Sequence, residues 1–165
     1  MGYTHYWNRP GDVPLNEKEF EKFTEVCHKI INSCKADSPI GGVYYQDEIV
    51  EIVGPEGTAA DKVRITGKQV AFNGLGDNAF EGFVISNHKD KAILDTFSFC
   101  KTNQKPYDIV VMACLIAFKR FFTDTCSISS DGGIMEWESG LELYNANVTD
   151  SNKVSSEVLV KWLES

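Results

Sequence analysis

The sequence predicts one α+β domain over residues 1–165, with a mainly antiparallel sheet of short strands packed against about four helices. Three observations predict it. An amphipathic helical stripe follows Asn16. A series of short strand-like runs fills the stretch from Pro39 to Ser86. Ten consecutive apolar residues, Ile109 to Phe118, form the most hydrophobic segment of the chain. A chain of 165 residues with 42% hydrophobic and 12% aromatic content is able to bury such a core, which excludes a disordered protein.

Gly2-Tyr3-Thr4-His5-Tyr6-Trp7 is rich in aromatic and β-branched residues and predicts a strand. Arg9-Pro10-Gly11-Asp12 predicts a turn. Asn16 then predicts a helix cap, with Glu19 three residues on as a capping-box partner and Leu15 with Phe20 as a hydrophobic staple. Phe20, Phe23, Cys27, Ile30, Ile31 and Cys34 fall on one face, opposite Glu and Lys residues.

Residues 42–45, 48–53, 62–65, 69–72 and 82–85 predict a meander of short strands separated by Gly, Pro, Asn and Asp. The loop Asn73-Gly74-Leu75-Gly76-Asp77-Asn78 contains G-x-G but neither continuation that holds a nucleotide. Residues 87–95, including His88, predict an exposed polar loop.

A strand from Phe97, a basic turn and a helix over about 107–122 follow. The apolar run is too short for a membrane span of about 20 residues, so the helix is predicted central and buried. Pro106 suits its first turn, and Asp108 and Lys119-Arg120 suit its two ends. Residues 125–129 predict another strand and Ser130-Asp131-Gly132-Gly133 a turn, with Asp131 as an alternative helix cap. Ile134, Trp137, Leu141 and Tyr144 predict the third helix, and residues 154–163 a short terminal one, with a strand over Val158–Trp162 as the alternative.

The net charge of −8 argues against direct nucleic-acid or anionic-membrane binding and leaves a basic protein as a candidate partner. The five cysteines include no C-x-x-C pair, and His28 beside Cys27 lacks metal-ligand spacing. No metal and no cofactor are predicted. Met1–His5 lacks the basic and apolar regions of a signal peptide, which predicts an intracellular protein, cytoplasmic or nuclear.

The turn before the buried helix carries Lys101 and Lys105 beside free helix N–H groups, a combination suited to a phosphate or carboxylate. His5 has two readings, a satisfied sheet histidine or an imidazole acting near neutral pH. Cys100 is the candidate nucleophile, activated by Lys101 or His5, with Asp108, Asp131 or Glu81 for acid–base work.

These residues lie in motifs. GYTHYW at 2–7, AFNG at 71–74, FCKT at 99–102, KPYD at 105–108, SSDG at 129–132 and the Trp137/Gly140 spacing resemble a family of small proteins of uncharacterised function scattered among bacteria, phages and large DNA viruses. The resemblance covers nearly the whole chain. The chain departs from it at Phe80-Glu81-Gly82-Phe83, where other members read His-Glu-Thr-Phe. The resemblance implies no particular activity. It groups His5, Trp7, Asn73, Glu81, Cys100, Lys101, Lys105, Tyr107, Asp108, Ser130 and Asp131 as positions to be examined together. His5, Cys100, Asp108 and Asp131 are the catalytic candidates. Trp7, Asn73, Glu81, Lys101, Lys105, Tyr107 and Ser130 are the ligand-binding candidates.

The functional expectation is a soluble binding or interaction protein, such as a viral or mobile-element accessory factor, with an anion or ligand site at the start of the buried helix. The alternative is a small hydrolase or transferase acting on a phosphorylated small molecule through Cys100 or an Asp.

Overall fold

Alternation along the first segment decides where the chain begins to fold. In the computed structural model, which describes residues 2–11, 14–87 and 96–165, β1 (Thr4–Asn8) buries His5 and Trp7 and leaves Thr4, Tyr6 and Asn8 partly or fully exposed. It is the central strand of an antiparallel three-stranded sheet, between β8 (Phe97–Lys101) and β9 (Ser127–Ser130). The registers place Cys100, His5 and Ser130 in one row across that sheet. Residues in one row of a sheet share a face, so all three are presented to the same side.

α1 (Glu17–Ser33) starts as its cap predicts, with Asn16 Oδ1 accepting the Glu19 amide at 3.0 Å. Its apolar stripe, Phe20, Phe23, Cys27 and Ile30, is fully buried. The meander forms β2 (Tyr44–Tyr45), β3 (Glu48–Ile49), β4 (Ile52–Val53), β5 (Arg64–Thr66), β6 (Gln69–Gly74) and β7 (Phe83–Ser86). β6 pairs with β5 and β7 along its first residues and with β4 at its end. The strand expected over residues 48–53 is two strands. Glu48 and Ile49 pair back onto β2, whereas Ile52 and Val53 pair with β6, so the chain changes partner at the buried Val50.

α2 (Asp108–Phe121) is the buried centre of the α+β fold. Every residue from Ile109 to Phe118 is buried. α1 packs along one side of it and α3 (Ile134–Asn145) along the other, while α4 (Ser156–Glu164) closes against α3 and β9. Pro106 precedes the helix rather than sitting in its first turn. Lys119, near the helix end, is also buried. Its ammonium is satisfied by the Thr123 and Cys126 carbonyls at 2.7 and 2.8 Å.

Two further expectations are corrected. Asn87 was expected in an exposed loop but is buried. Its amide bridges Arg9 and the Leu15 backbone, and those buried hydrogen bonds offset its desolvation. Residues 88–95 with His88, Asp12 of the first turn and Met1 lie outside the described residues. Asp131 does not cap α3, whose N-cap is Gly133 with the Glu136 carboxylate accepting its amide. Instead Asp131 accepts the Thr4 amide and the Tyr6 hydroxyl, at 3.0 and 3.1 Å, and ties β1 to the end of β9. All five cysteines are buried and free. Among the described residues no helix is long and apolar enough to cross a membrane, and no group of His, Cys, Asp and Glu has a metal-binding arrangement.

Candidate functional site

The inward row of the three-stranded sheet meets the first residue of α2. His5 Nε2 lies 2.6 Å from Asp108 Oδ1, and His5 Nδ1 lies 2.8 Å from Ser130 Oγ. Thr102 donates its hydroxyl to the same Asp108 oxygen at 2.5 Å. Oδ1 is therefore an acceptor, Nε2 carries the ring proton, and Nδ1 is left to accept from Ser130. The Gly132 amide donates to Ser130 Oγ at 3.0 Å, which leaves the hydroxyl proton free for that bond. These contacts join residues 103 and 125 positions apart in the chain.

His5 and Asp108 have no exposed side-chain surface, whereas Ser130 is half-buried. Tyr3 and Trp137 meet the imidazole edge-on, both with ring centroids 5.1 Å away. Among the described residues, three buried polar atoms beside this centre, the Tyr3 hydroxyl, Asp108 Oδ2 and Trp137 Nε1, make no hydrogen bond within the distance and angle limits of one. Burial, and then the Asp108 carboxyl, pushes the Tyr3 phenol upward. Tyr45, on the β2–β3 hairpin, is raised by the same two causes in the same order, which places it within electrostatic reach of Asp108.

Cys100 occupies the opposite side of the row. It was a candidate nucleophile, but the geometry assigns it to the core. The residue is fully buried, its thiol points to the Glu81 carbonyl at 3.3 Å, and burial pushes the thiol up to about 12. A thiol that resists ionisation is a poor nucleophile. The imidazole turns to Ser130 and Asp108 instead.

The remaining candidates do not converge on one concavity. The Tyr107 hydroxyl donates to the Glu81 carbonyl at 2.6 Å, and burial pushes that phenol upward. The Glu81 carboxylate accepts the Lys101 amide at 2.7 Å, so Glu81 clamps the end of β8. Trp7 is in the core against Phe83, ring centroids 5.2 Å apart. Asn73 is a bracket: its side chain bonds the Pro55 carbonyl and both the amide and carbonyl of Phe80. Lys101 lies along Gly2, with its ammonium 5.8 Å from the Phe80 ring centroid. Lys105 is half-buried, and its backbone forms the turn into α2. The start of the buried helix thus holds the chain's own carboxylate, Asp108, turned inward.

An open concavity lies elsewhere. A cleft of about 800 Å³ runs between the C-terminal half of α1 and the β3–β5 meander. Its floor includes Ile31, Ile49, Ile52, Val53, Val63 and Ile65, and Lys35 and Lys62 stand among the charged residues of its rim. Asp61, also on the rim, is committed to Arg64 at 3.3 Å and to the Glu56 amide at 2.9 Å.

Sequence reasoning missed three parts of this arrangement. Thr102 and Trp137 stood inside the resemblance motifs, and Tyr3 shares the inward face of β1 with His5, a spacing of two that was readable. The cleft had no local signal, because its two walls come from separate segments. Compared with known proteins, the chain matches no family model, no curated protein and no solved structure.

Proposed function

We propose that this chain is a small-molecule binding protein whose ligand lies in the cleft between α1 and the β3–β5 meander. The cleft itself carries the reading. Its volume of about 800 Å³ falls within the range of ligand sites, and its floor is aliphatic with a few polar groups at the edge. Five of the floor residues, Ile49, Ile52, Val53, Val63 and Ile65, remain half-exposed, so a ligand covering them gains hydrophobic free energy. The rim carries both signs, Lys35 and Lys62 with Asp37, Glu51 and Asp61, so the aliphatic floor selects an aliphatic body rather than a particular head charge.

The test is an amide-resolved NMR titration with decanoate and, separately, decanol. The expected result is saturable shifts confined to residues around Ile31, Ile52 and Val63, present with either compound and reduced by Val63→Glu. Absence of saturable shifts with either compound, or shifts spread over the whole surface, removes the proposal.

A further inference from the structure

We propose a reaction centre distinct from the cleft, in which Ser130 is a nucleophile, His5 its general base and Asp108 the residue that positions His5. This goes beyond ligand binding and does not depend on it. The argument is geometric. A nucleophile needs a base within hydrogen-bond reach, and the base needs a third group to fix its tautomer. Ser130 Oγ to His5 Nδ1 is 2.8 Å, and His5 Nε2 to Asp108 Oδ1 is 2.6 Å. The imidazole is used in the opposite sense to the familiar serine-protease arrangement, where Nε2 faces the serine. Thr102 and the buried surroundings hold Asp108, and the Tyr3 and Trp137 edges hold the ring. The nucleophile is the least buried end of this relay: Ser130 is half-buried, whereas the other two are sealed.

The chemistry is acyl transfer from an ester to water. Ser130 Oγ attacks the ester carbonyl while its proton passes to His5 Nδ1. The bond to the alcohol breaks, and the departing oxygen takes that proton. Water then attacks the Ser130 ester, giving its proton to Nδ1, and the carboxylic acid leaves as Oγ regains a proton. The Gly132 amide donates to Oγ at 3.0 Å and fixes the direction of the hydroxyl toward His5.

The substrate class follows from the surroundings. The Glu136 carboxylate, which accepts the Gly133 amide, borders the turn that follows Ser130, and the Tyr3 hydroxyl lies against Gly132. That carboxylate disfavours anionic substrates, and the Tyr3 ring crowding Gly132 favours small ones. An uncharged short-chain ester fits.

The test uses the full chain and a neutral alkyl fluorophosphonate, followed by peptide mapping. The expected result is one adduct, on Ser130, absent in Ser130→Ala. In folded His5→Gln, labelling slows by about 100-fold, the scale of general-base catalysis. 4-Nitrophenyl acetate turnover falls in parallel, and Asp108→Asn slows both. Unmodified Ser130 in the wild-type protein overturns the proposal without reference to any variant. Labelling of folded His5→Gln at the wild-type rate overturns the role of His5 and makes the relay a fold-fixing network.

Discussion

Gly140 is where α3 comes closest to α2, and replacing it sets two effects of opposite sign against each other. A Cβ at this position meets Met112 Cβ at 2.6 Å and the Ala113 amide nitrogen at 3.4 Å. Both contacts belong to the first bonds of a fully buried helix, so no side-chain rotation relieves them. Gly140→Ala forces the two helices apart or bends one of them, at a cost of about 1–3 kcal/mol for an overpacked core. Opposing this, replacing glycine by alanine inside a helix gains about 1 kcal/mol of propensity. A contact this short lies at the costly end of the range, so the net is a loss of about 1–2 kcal/mol. At this chain length that lowers Tm by roughly 2–8 °C. Differential scanning calorimetry and urea unfolding of the two proteins measure it. An unchanged or higher Tm refutes the reasoning, because propensity would then exceed packing and the helices would not be in close contact.

Asn73→Ala removes the bracket that joins β6 to the Pro55 and Phe80 backbone, leaving buried donors and acceptors unpaired, and is expected to cost about 2–4 kcal/mol. The exposed neighbour substitution Asp77→Ala is expected to stay within about 0.5 kcal/mol, and equal costs for the two contradict the bracket. The thiols give a pH prediction. Burial holds Cys34 and Cys100 up to about 12, whereas the unfolded chain releases those protons near the ordinary thiol value of 9.0. The unfolded state therefore binds fewer protons in that window, and stability present below about pH 9 falls as pH rises toward 12. Urea midpoints between pH 7.5 and 10.5 measure this, and a midpoint that rises above pH 9 contradicts it. Consistent with the same burial, a thiol reagent at pH 8 is expected to react slowly with the native chain and with all five cysteines once it is unfolded.

Local patterns made much of the fold legible in the sequence. Ten apolar residues in a row fit a buried strand or a buried helix once a membrane span is excluded by length; the length and the Met, Ala and Leu content favour the helix, and α2 is that helix. The stripe and cap of α1, the alternation of β1 and the helical spacing of α3 are likewise short-range patterns, each set by the period of one element. Which partner a strand takes is not local. Residues 48–53 read as one strand, and only the competing registers with β2 and β6 divide them.

The same distinction holds for the polar residues. The sequence marked His5, Cys100, Asp108 and Ser130 as positions of interest, but their roles depend on orientation. The registers on both sides of β1 set Cys100 and Ser130 across from His5, and the start of α2 brings Asp108 to the ring. Burial then turns Cys100 into a core thiol, while a half-exposed serine keeps the imidazole. Lys101 and Lys105 looked like an anion site because they adjoin a helix start in sequence. In the tertiary structure the first residues of that helix are buried, and the Asp108 carboxylate there turns to His5 and Thr102. Side-chain type is written in the sequence, but the desolvation and distance that decide what a charge or hydroxyl can do arise only when segments about a hundred residues apart are packed together.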